Sequence, residues 1–247
     1  MPRYVYDGTF TGLLTVIHEG FRDKEVPQNI ISRQNYNLSL FTEAVVIESE
    51  EKKADQVTSA IKNKISQKVH KDIYHAFLSE IPDIELNIYN YLLLCFQNND
   101  RSKNNRRSED IKKVKSAASK VRKERHRFKG LLRFRELQDG TLYAPFKPDY
   151  NITGLLAPHF ADRLATENGV IHDKKRDIAA FFASGEWELL DSSNIPSPEK
   201  QNFAEKEENY QQLWQNFFDN IAIEERKNLQ LQKSLMPKKY WEFLIEK

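Results

Sequence analysis

Apolar residues recur at helical spacing through much of the first hundred residues. The i, i+3, i+4, i+7, i+11 pattern of a helix with one buried face is formed by Phe10, Leu13, Leu14, Ile17 and Phe21. The side-chain oxygens of Asp7 and Thr9 can accept hydrogen bonds from its first amides. Further patterns predict a short β-branched strand within residues 41–48 and helices near residues 52–67, 70–79 and 83–97.

Residues 98–108 contain no apolar side chain and predict a loop or hinge, after which a helix follows. Its narrow apolar stripe consists of Ile111, Val114, Ala118, Val121 and Phe128. Position 125 falls in that stripe, so Arg125 is expected to face the protein and to need a carboxylate. Two interpretations stay open: a buried ion pair that holds the helix, or an anion-binding arginine at the edge of a cleft.

In the second half of the chain, apolar and polar residues alternate in several segments, as they do in β-strands. Gly130 is expected to end the helix, residues 131–137 and 141–147 to pair as a hairpin, and residues 151–165 to form a helix that Pro158 kinks or divides. An antiparallel meander is predicted from residues 169–173, 178–182 and 186–190. The helix over 210–221 carries an aromatic stripe of Tyr210, Leu213, Trp214, Phe217, Phe218 and Ile221, whose spacing predicts that it packs on the sheet.

These elements predict an α+β protein, with a helical N-terminal half and an antiparallel sheet that has one inserted helix and is covered by C-terminal helices. We expect a mainly helical region over 1–100 and the basic helix, sheet and final helices over 101–247, an arrangement also compatible with one compact domain. At 247 residues and 39% hydrophobic content, the chain is long and apolar enough to bury a core.

Positive charge is concentrated in one segment. Residues 101–129 hold thirteen basic and three acidic residues, a balance of +10 in a chain whose total is +2. Such a footprint typically binds a polyanion, above all nucleic acid. The candidate nucleic-acid-binding residues are Lys112, Lys113, Lys115, Lys120, Arg122, Lys123, Arg127, Lys129, Arg133 and Arg135.

Several classes of protein do not fit the sequence. No apolar run approaches the roughly 20 residues that cross a bilayer and no leader begins the chain, so we expect a cytoplasmic protein without a membrane partner. The single cysteine, Cys95, excludes an internal disulfide and a thiolate cluster held by this chain alone. His70 and His75 are five residues apart, not the four of a helical zinc pair, so neither metal nor cofactor is expected.

An enzyme remains an alternative, and whether the chain is catalytic stays open. Acid, base and anion-binding residue types occur together in the second half, at His126, Glu136, His159, Asp162, Arg163, His172, Asp173 and Arg176. Within this set the weak catalytic candidates are His126, His159, Asp162 and Asp173, and the candidates for anion binding or an ion pair are Arg125, Arg163 and Arg176. If these eight side chains lined one cleft, a catalytic function would be favoured. No phosphate-binding glycine loop or deaminase signature is present.

Five stretches of the sequence resemble a known bacterial family: residues 6–10, 121–136, 155–163, 221–226 and 236–241. The family has no established molecular function and is described as probable DNA metabolism proteins. Its members are typically encoded beside a putative DNA-repair radical SAM protein, and some are fused to a uracil-DNA glycosylase domain. The resemblance therefore implies DNA repair or base modification as the setting, with a radical SAM protein or a glycosylase as partner.

Charge and resemblance together predict a DNA-binding accessory protein in DNA repair or base modification, with the strandedness of the DNA open. A second alternative is a protein–protein adaptor without direct DNA contact. Its partner would bind acidic surface such as the segments around residues 48–51 or 205–208.

Overall fold

The protein, in a computed structural model, is described over residues 2–24, 26–36, 44–97, 109–191, 203–221, 223 and 228–246. These residues form two compact units, Met1–Arg122 and Lys123–Lys247. The expected loop over 98–108 and the boundary at residues 100 and 101 lie outside the described residues, so both stay predictions. The α+β class is confirmed, because both units combine helices with a sheet.

The first unit is built on a small parallel sheet that the sequence pattern does not predict as a whole. Its strands are β1 (Arg3–Tyr6), β2 (Asn29–Ser32) and β3 (Ala44–Val46), in the order β2-β1-β3. Both β2 and β3 run parallel to β1. Helix α1 (Phe10–Asp23) follows β1 and returns the chain to the end where β2 begins, which is why the pairing is parallel.

Helices complete the first unit as the apolar spacing predicts. Thr9 caps α1, because its hydroxyl accepts a hydrogen bond of 2.9 Å from the Gly12 amide. The chain continues through α2 (Glu51–Ala60), a π-helical turn (Ile61–Ile65), α3 (Gln67–Phe77) and α4 (Ile84–Gln97). Their buried faces form one core with α1 that includes Leu13, Ile17, Ile61, Ile73 and Ile88.

The basic helix, α5 (Glu109–Leu131), is 23 residues long and continues past Gly130, so the expected helix end at Gly130 is wrong by one residue. In the first unit it buries Ile111, Val114, Ala117 and Ala118. In the second unit it buries Glu124 and Phe128. Because α5 extends to Leu131, the predicted strand over 131–137 is reduced to β4 (Arg135–Glu136).

The second unit contains a five-stranded mixed sheet. The remaining strands are β5 (Leu142–Phe146), β6 (Gly169–Asp173), β7 (Ile178–Ala183) and β8 (Glu186–Asp191), and the sheet order follows the chain from β4 to β8. Gly140, at φ 82°, turns the chain between β4 and β5, and β6, β7 and β8 form the expected antiparallel meander. The prediction of an antiparallel sheet is wrong for one pair, since β5 and β6 are parallel. Helix α6 (Thr153–Arg163) connects them and returns the chain to the starting edge.

Helix α6 packs on β6, β7 and β8 and includes Pro158 within its length. It buries Leu156, Ala157, Phe160 and Ala161. The C-terminal segment supplies α7 (Glu207–Asn220), α8 (Leu229–Leu235) and a 3₁₀ helix (Lys238–Phe243) that packs on β5 through buried Tyr240. The 3₁₀ helix therefore performs part of the covering role expected of the C-terminal helices.

The aromatic stripe of α7 does not pack in a core as expected. Leu213 is 63% exposed, Phe217 53% and Tyr210 57%. Only Glu207, at the start of the helix, is buried among its described side chains. Helix α6 contacts β6, β7 and β8, while the apolar face of α7 is open to solvent.

One buried carboxylate joins three segments of the second unit. The side chain of Glu124 on α5 accepts hydrogen bonds from the amides of Asp149, at 2.8 Å, and Tyr150, at 2.9 Å. The hydroxyl of Tyr240 donates a third, at 2.6 Å. Burial, followed by the interaction with Glu124, raises the pKa of the Tyr240 hydroxyl far above its ordinary value. Glu124 therefore fastens α5 to the β5–α6 loop and to the C-terminal 3₁₀ helix.

Replacing Glu124 with alanine should destabilise the second unit by about 3 to 5 kcal/mol, because two amides and a hydroxyl lose their buried acceptor. Tyr240→Phe removes one donor and should cost only about 1 kcal/mol. All three tryptophans, Trp187, Trp214 and Trp241, lie in the second unit, so urea unfolding followed by tryptophan fluorescence measures its stability. A Glu124→Ala midpoint equal to that of the unaltered protein would contradict the assigned role.

Candidate nucleic-acid interface

Five lysines lie on the solvent-facing side of α5. Lys112, Lys113, Lys115, Lys120 and Lys123 are all exposed, because the apolar residues of the helix occupy the opposite side at 3.6-residue spacing. None of the five makes a hydrogen bond or an ion pair with the described residues. From Lys112 to Lys123 the helix rises about 17 Å. We call these five residues the lysine face.

The four arginines among the predicted binding residues contact the protein instead. Arg122 forms an ion pair of 2.6 Å with Asp72 on α3, and Arg127 donates to the carbonyl of Ser234 at 3.3 Å. Arg135 stacks over the ring of Phe203 at 5.8 Å. Lys129 is half-buried. Nine of the ten predicted residues thus divide into five exposed lysines and four arginines that contact other parts of the protein, and Lys129 belongs to neither group.

Arg133 has the most extensive set of contacts. Its Nε donates to Glu246 at 3.1 Å, its Nη2 pairs with the same carboxylate, and its Nη1 donates to the Gly130 carbonyl at 2.8 Å. The guanidinium lies 5.2 Å from the centre of the Trp214 ring. Burial tends to raise the pKa of Glu246, but the hydrogen bonds and charge of Arg133, together with the Glu246 amide and Trp214, hold that pKa below its ordinary value. Arg133 therefore caps the end of α5 and holds the C-terminal segment.

Asp173 and Arg176, from the predicted polar cluster, stabilise the β6–β7 turn. Asp173 is fully buried and accepts hydrogen bonds of 2.9 Å from the Lys175 amide and from Arg176 Nη1. Arg176 also donates to the Asp149 carbonyl at 2.7 Å. Burial raises the pKa of Asp173, although these donors act in the opposite direction. Arg176 was a candidate for either anion binding or an ion pair, and the structure shows the ion pair with Asp173.

His172 is also enclosed, at 1% exposed. Its Nδ1 shares a hydrogen bond of 2.8 Å with the hydroxyl of Tyr143 on the neighbouring strand β5. Burial lowers the pKa of the imidazole, and Lys174 lowers it further. A buried, neutral histidine is not accessible to a substrate, and acid–base catalysis requires that access.

The other members of the predicted cluster lie on different elements. His126 is exposed on α5, and Asp162 and Arg163 are exposed on α6. His159 is half-buried on α6, with its ring 5.0 Å from that of Phe160. Glu136 is half-buried on β4, and its amide donates to Glu207 at 3.0 Å. The buried and exposed members therefore do not share one open surface.

Two cavities of the described chain are lined by other residues. One, of about 330 Å³, lies in the first unit and is lined by His18, Phe21, Arg22, Gln56, Val57, Ala60 and Phe96. The other, of about 250 Å³, lies in the second unit and is lined by Gln215, Phe218, Asp219, Ile245 and Glu246. None of the eight residues of the predicted cluster lines either cavity.

The described segments also show two general features. No three histidine, cysteine or acidic side chains within them are grouped as a metal site. No helix within them is both long and apolar enough to span a membrane. Cys95 is half-buried on α4, and burial raises the pKa of its thiol.

A family model for a domain of unknown function, DUF4130, matches residues 82–246, about two thirds of the chain. The chain belongs to the DUF4130 family. The match begins just before α4 and includes all of α5 and nearly all of the second unit. Comparisons with curated proteins and with solved structures found no match. The lysine face and every residue of the predicted polar cluster therefore lie within the DUF4130 range.

The buried His172 should make the stability of the second unit decrease at acid pH. Its lowered pKa means that the unfolded chain binds a proton near pH 6.5, the ordinary imidazole value, while the folded unit resists it. The free energy of unfolding therefore decreases as pH falls below about 6.5, until the folded-state pKa is reached. His172→Asn, which can retain the contact to Tyr143, should show a smaller loss of stability between about pH 7 and pH 5.

The measurement is urea unfolding by tryptophan fluorescence at several pH values. His126→Asn, at an exposed position on α5, is the matched control and should keep the pH dependence of the unaltered protein. Equal pH dependence in the His172→Asn variant and the unaltered protein would show that His172 makes no contribution.

Proposed function

We propose that the protein is a nucleic-acid-binding accessory factor in DNA repair or base modification, and that the lysine face of α5 contacts the phosphate backbone. The observation that carries the proposal is the division of cations on this helix. The five lysines of the lysine face are exposed and make no hydrogen bond or ion pair with the described residues, whereas Arg122 and Arg127 contact the fold. The exposed charge is therefore free for an external polyanion.

The chemistry of lysine favours contact with the backbone over reading of bases. An ammonium group is a flexible point charge that neutralises a phosphate, whereas base recognition commonly uses planar arginine or amide groups in defined positions. A row of lysines along about 17 Å of helix can follow successive phosphates. We therefore propose binding that depends strongly on salt and weakly on sequence.

The proposed setting follows from the family that the sequence resembles. Members encoded beside a radical SAM protein, or fused to a glycosylase, suggest a division in which this chain supplies affinity for the backbone and its partner performs the reaction on the base. The enclosed state of His172 and Asp173 supports the accessory role over a catalytic one. The strandedness of the DNA is left to experiment.

Replacing all five lysines of the lysine face with glutamine should weaken DNA binding and reduce its salt dependence. Each phosphate contact contributes about 0.9 to the slope of log affinity against log salt for duplex DNA and about 0.7 for single strands. The slope should therefore decrease by up to about 4.5 for duplex DNA. Fluorescence anisotropy with labelled duplex and single-stranded oligonucleotides, at several salt concentrations, measures both affinity and slope.

A matched control removes the same number of charges from exposed lysines elsewhere: Lys52, Lys64, Lys71, Lys206 and Lys233. This variant should retain most of the affinity and of the slope, because its charges are scattered over several elements. An equal loss in both variants would show a response to net charge alone. No DNA binding by the unaltered protein at low salt would refute the proposal.

A second candidate function, the protein–protein adaptor, is favoured by the exposed face of α7. Tyr210, Leu213, Phe217 and Ile221 are each more than half exposed, and soluble monomers rarely leave such a contiguous apolar surface open. The acidic segments are less suited to this role because several of their carboxylates are engaged within the chain. Glu48 pairs with Arg33 and Glu50 with Lys53, while Glu207 is buried.

We propose the radical SAM protein suggested by the resemblance as the partner of this face. Leu213→Gln combined with Phe217→Gln should abolish co-purification of the two proteins, because both side chains would lose apolar contact area. The stability of the variant should change little, since both positions are exposed. Gln212→Ala combined with Asn216→Ala, at exposed polar positions on α7, should retain the partner. Undiminished co-purification of the apolar double variant would contradict this role.

A further inference from the structure

Three cationic side chains and a histidine of the second unit lie on two helices. Arg125 and Lys129 are four residues apart on α5, and His159 and Arg163 are four residues apart on α6. Residues with this spacing stand one above the other on the same face of a helix. Phe134, just after α5, packs edge-to-face on Phe160 of α6 at 5.2 Å, which holds the two segments together.

Three cations act on the imidazole of His159. Burial lowers the pKa of the His159 imidazole, and Lys129, Arg163 and Arg125 lower it further. Asp162, the next residue before Arg163, is the one anion that acts in the opposite direction. Near the His159 ring, three positive charges therefore outnumber the one carboxylate that acts on its pKa.

The two arginines of the cluster lack the carboxylate partners that Arg133 and Arg176 have. Arg133 and Arg176 are paired with Glu246 and Asp173. Neither Arg125 nor Arg163 makes a hydrogen bond or an ion pair with the described residues. The Nε of Arg125 is buried and has no acceptor. A buried donor without an acceptor costs free energy, so a ligand that supplies one would be stabilised at this point.

We propose that Arg125, Lys129, His159 and Arg163 form a binding site for a phosphate group. A phosphate monoester carries close to two negative charges and three acceptor oxygens, which match the planar fork of an arginine and the point charge of a lysine. The imidazole of His159 can donate a further hydrogen bond when it is protonated. Asp162 opposes the excess charge on one side without filling the site. The site does not depend on the lysine face, and either can exist without the other.

The decisive measurement is the titration of the His159 ring by NMR, with and without inorganic phosphate. A bound dianion favours the imidazolium, so the pKa of His159 should rise in a saturable way as phosphate is added. The ring signals of His126, exposed on α5, provide an internal reference within the same unit. No saturable change at His159 would overturn the proposal.

Substitutions identify the groups that hold the phosphate. Arg163→Gln and Arg125→Gln should each weaken phosphate binding by about tenfold or more, because each removes a charge-assisted hydrogen bond. Lys233→Gln, at an exposed position on α8, removes one charge elsewhere and should leave the affinity unchanged. Equal affinity in the unaltered protein and both arginine variants would also overturn the assignment. Because Arg163 is exposed, its variant should fold even if Arg125→Gln does not.

The source of the phosphate is distinguished by comparing ligands in the same titration. A nucleoside monophosphate tests a free nucleotide, and a 5′-phosphorylated oligonucleotide tests the end of a nucleic acid strand. The same nucleoside and oligonucleotide without the phosphate are the controls. Tighter binding of either phosphorylated form than of its control supports the site and identifies the source, whereas equal binding in both pairs contradicts it.

Discussion

The second unit depends on the carboxylate of Glu124. Both oxygens of this buried side chain accept hydrogen bonds, from the amides of Asp149 and Tyr150 and from the Tyr240 hydroxyl. These donors come from the loop before α6 and from the C-terminal 3₁₀ helix. An enclosed carboxylate is tolerated only when donors replace the water it has lost, and three are present here. The position of α5 against the sheet is thereby fixed by polar as well as apolar contacts.

A helix held in this way can leave much of its charge to solvent. Its buried side is stabilised by Glu124, Phe128 and the packing of Phe128 on Phe146 and Tyr240. Arg122 on α5 pairs with Asp72 in the first unit, and Arg133, just after α5, pairs with Glu246 in the second. The lysines are not needed for any of these contacts. Their number on one helix is therefore more consistent with a role in binding than with one in folding.

Much of the fold could be predicted from the sequence, because long elements repeat their pattern often enough to be recognised. Helices α1 and α5 and the meander of β6 to β8 are examples. Strands β1 and β2 could not, since four residues are too few to show an alternation. The parallel pairing of β5 and β6 was not predicted, although a helix was expected between them, because strand pattern alone does not encode direction.

The candidate sites show where sequence patterns reach their limit. Along α5, positions 117, 121, 124 and 128 and positions 118, 121, 125 and 128 are equally good helical stripes, and either puts a charged residue inside. Which of the two charged residues faces the core depends on the groups around each. Glu124 accepts hydrogen bonds from three donors and is 2% exposed, whereas Arg125 is half-buried and its Nε has no acceptor. The apolar spacing of α7 is likewise identical to that of a core helix.

Whether an apolar face is buried depends on what else covers the sheet. Helix α6 contacts β6, β7 and β8, and the 3₁₀ helix contacts β5, so these strands have packing partners other than α7, although Trp187, Leu189 and Leu190 of β8 remain exposed. The exposed side chains of α7 then cost solvation free energy that no contact among the described residues recovers. A partner that buried Leu213 and Phe217 would recover it, at some entropic cost of association. The open face and the unpaired cations are thus two independent departures from a self-contained fold, one apolar and one electrostatic.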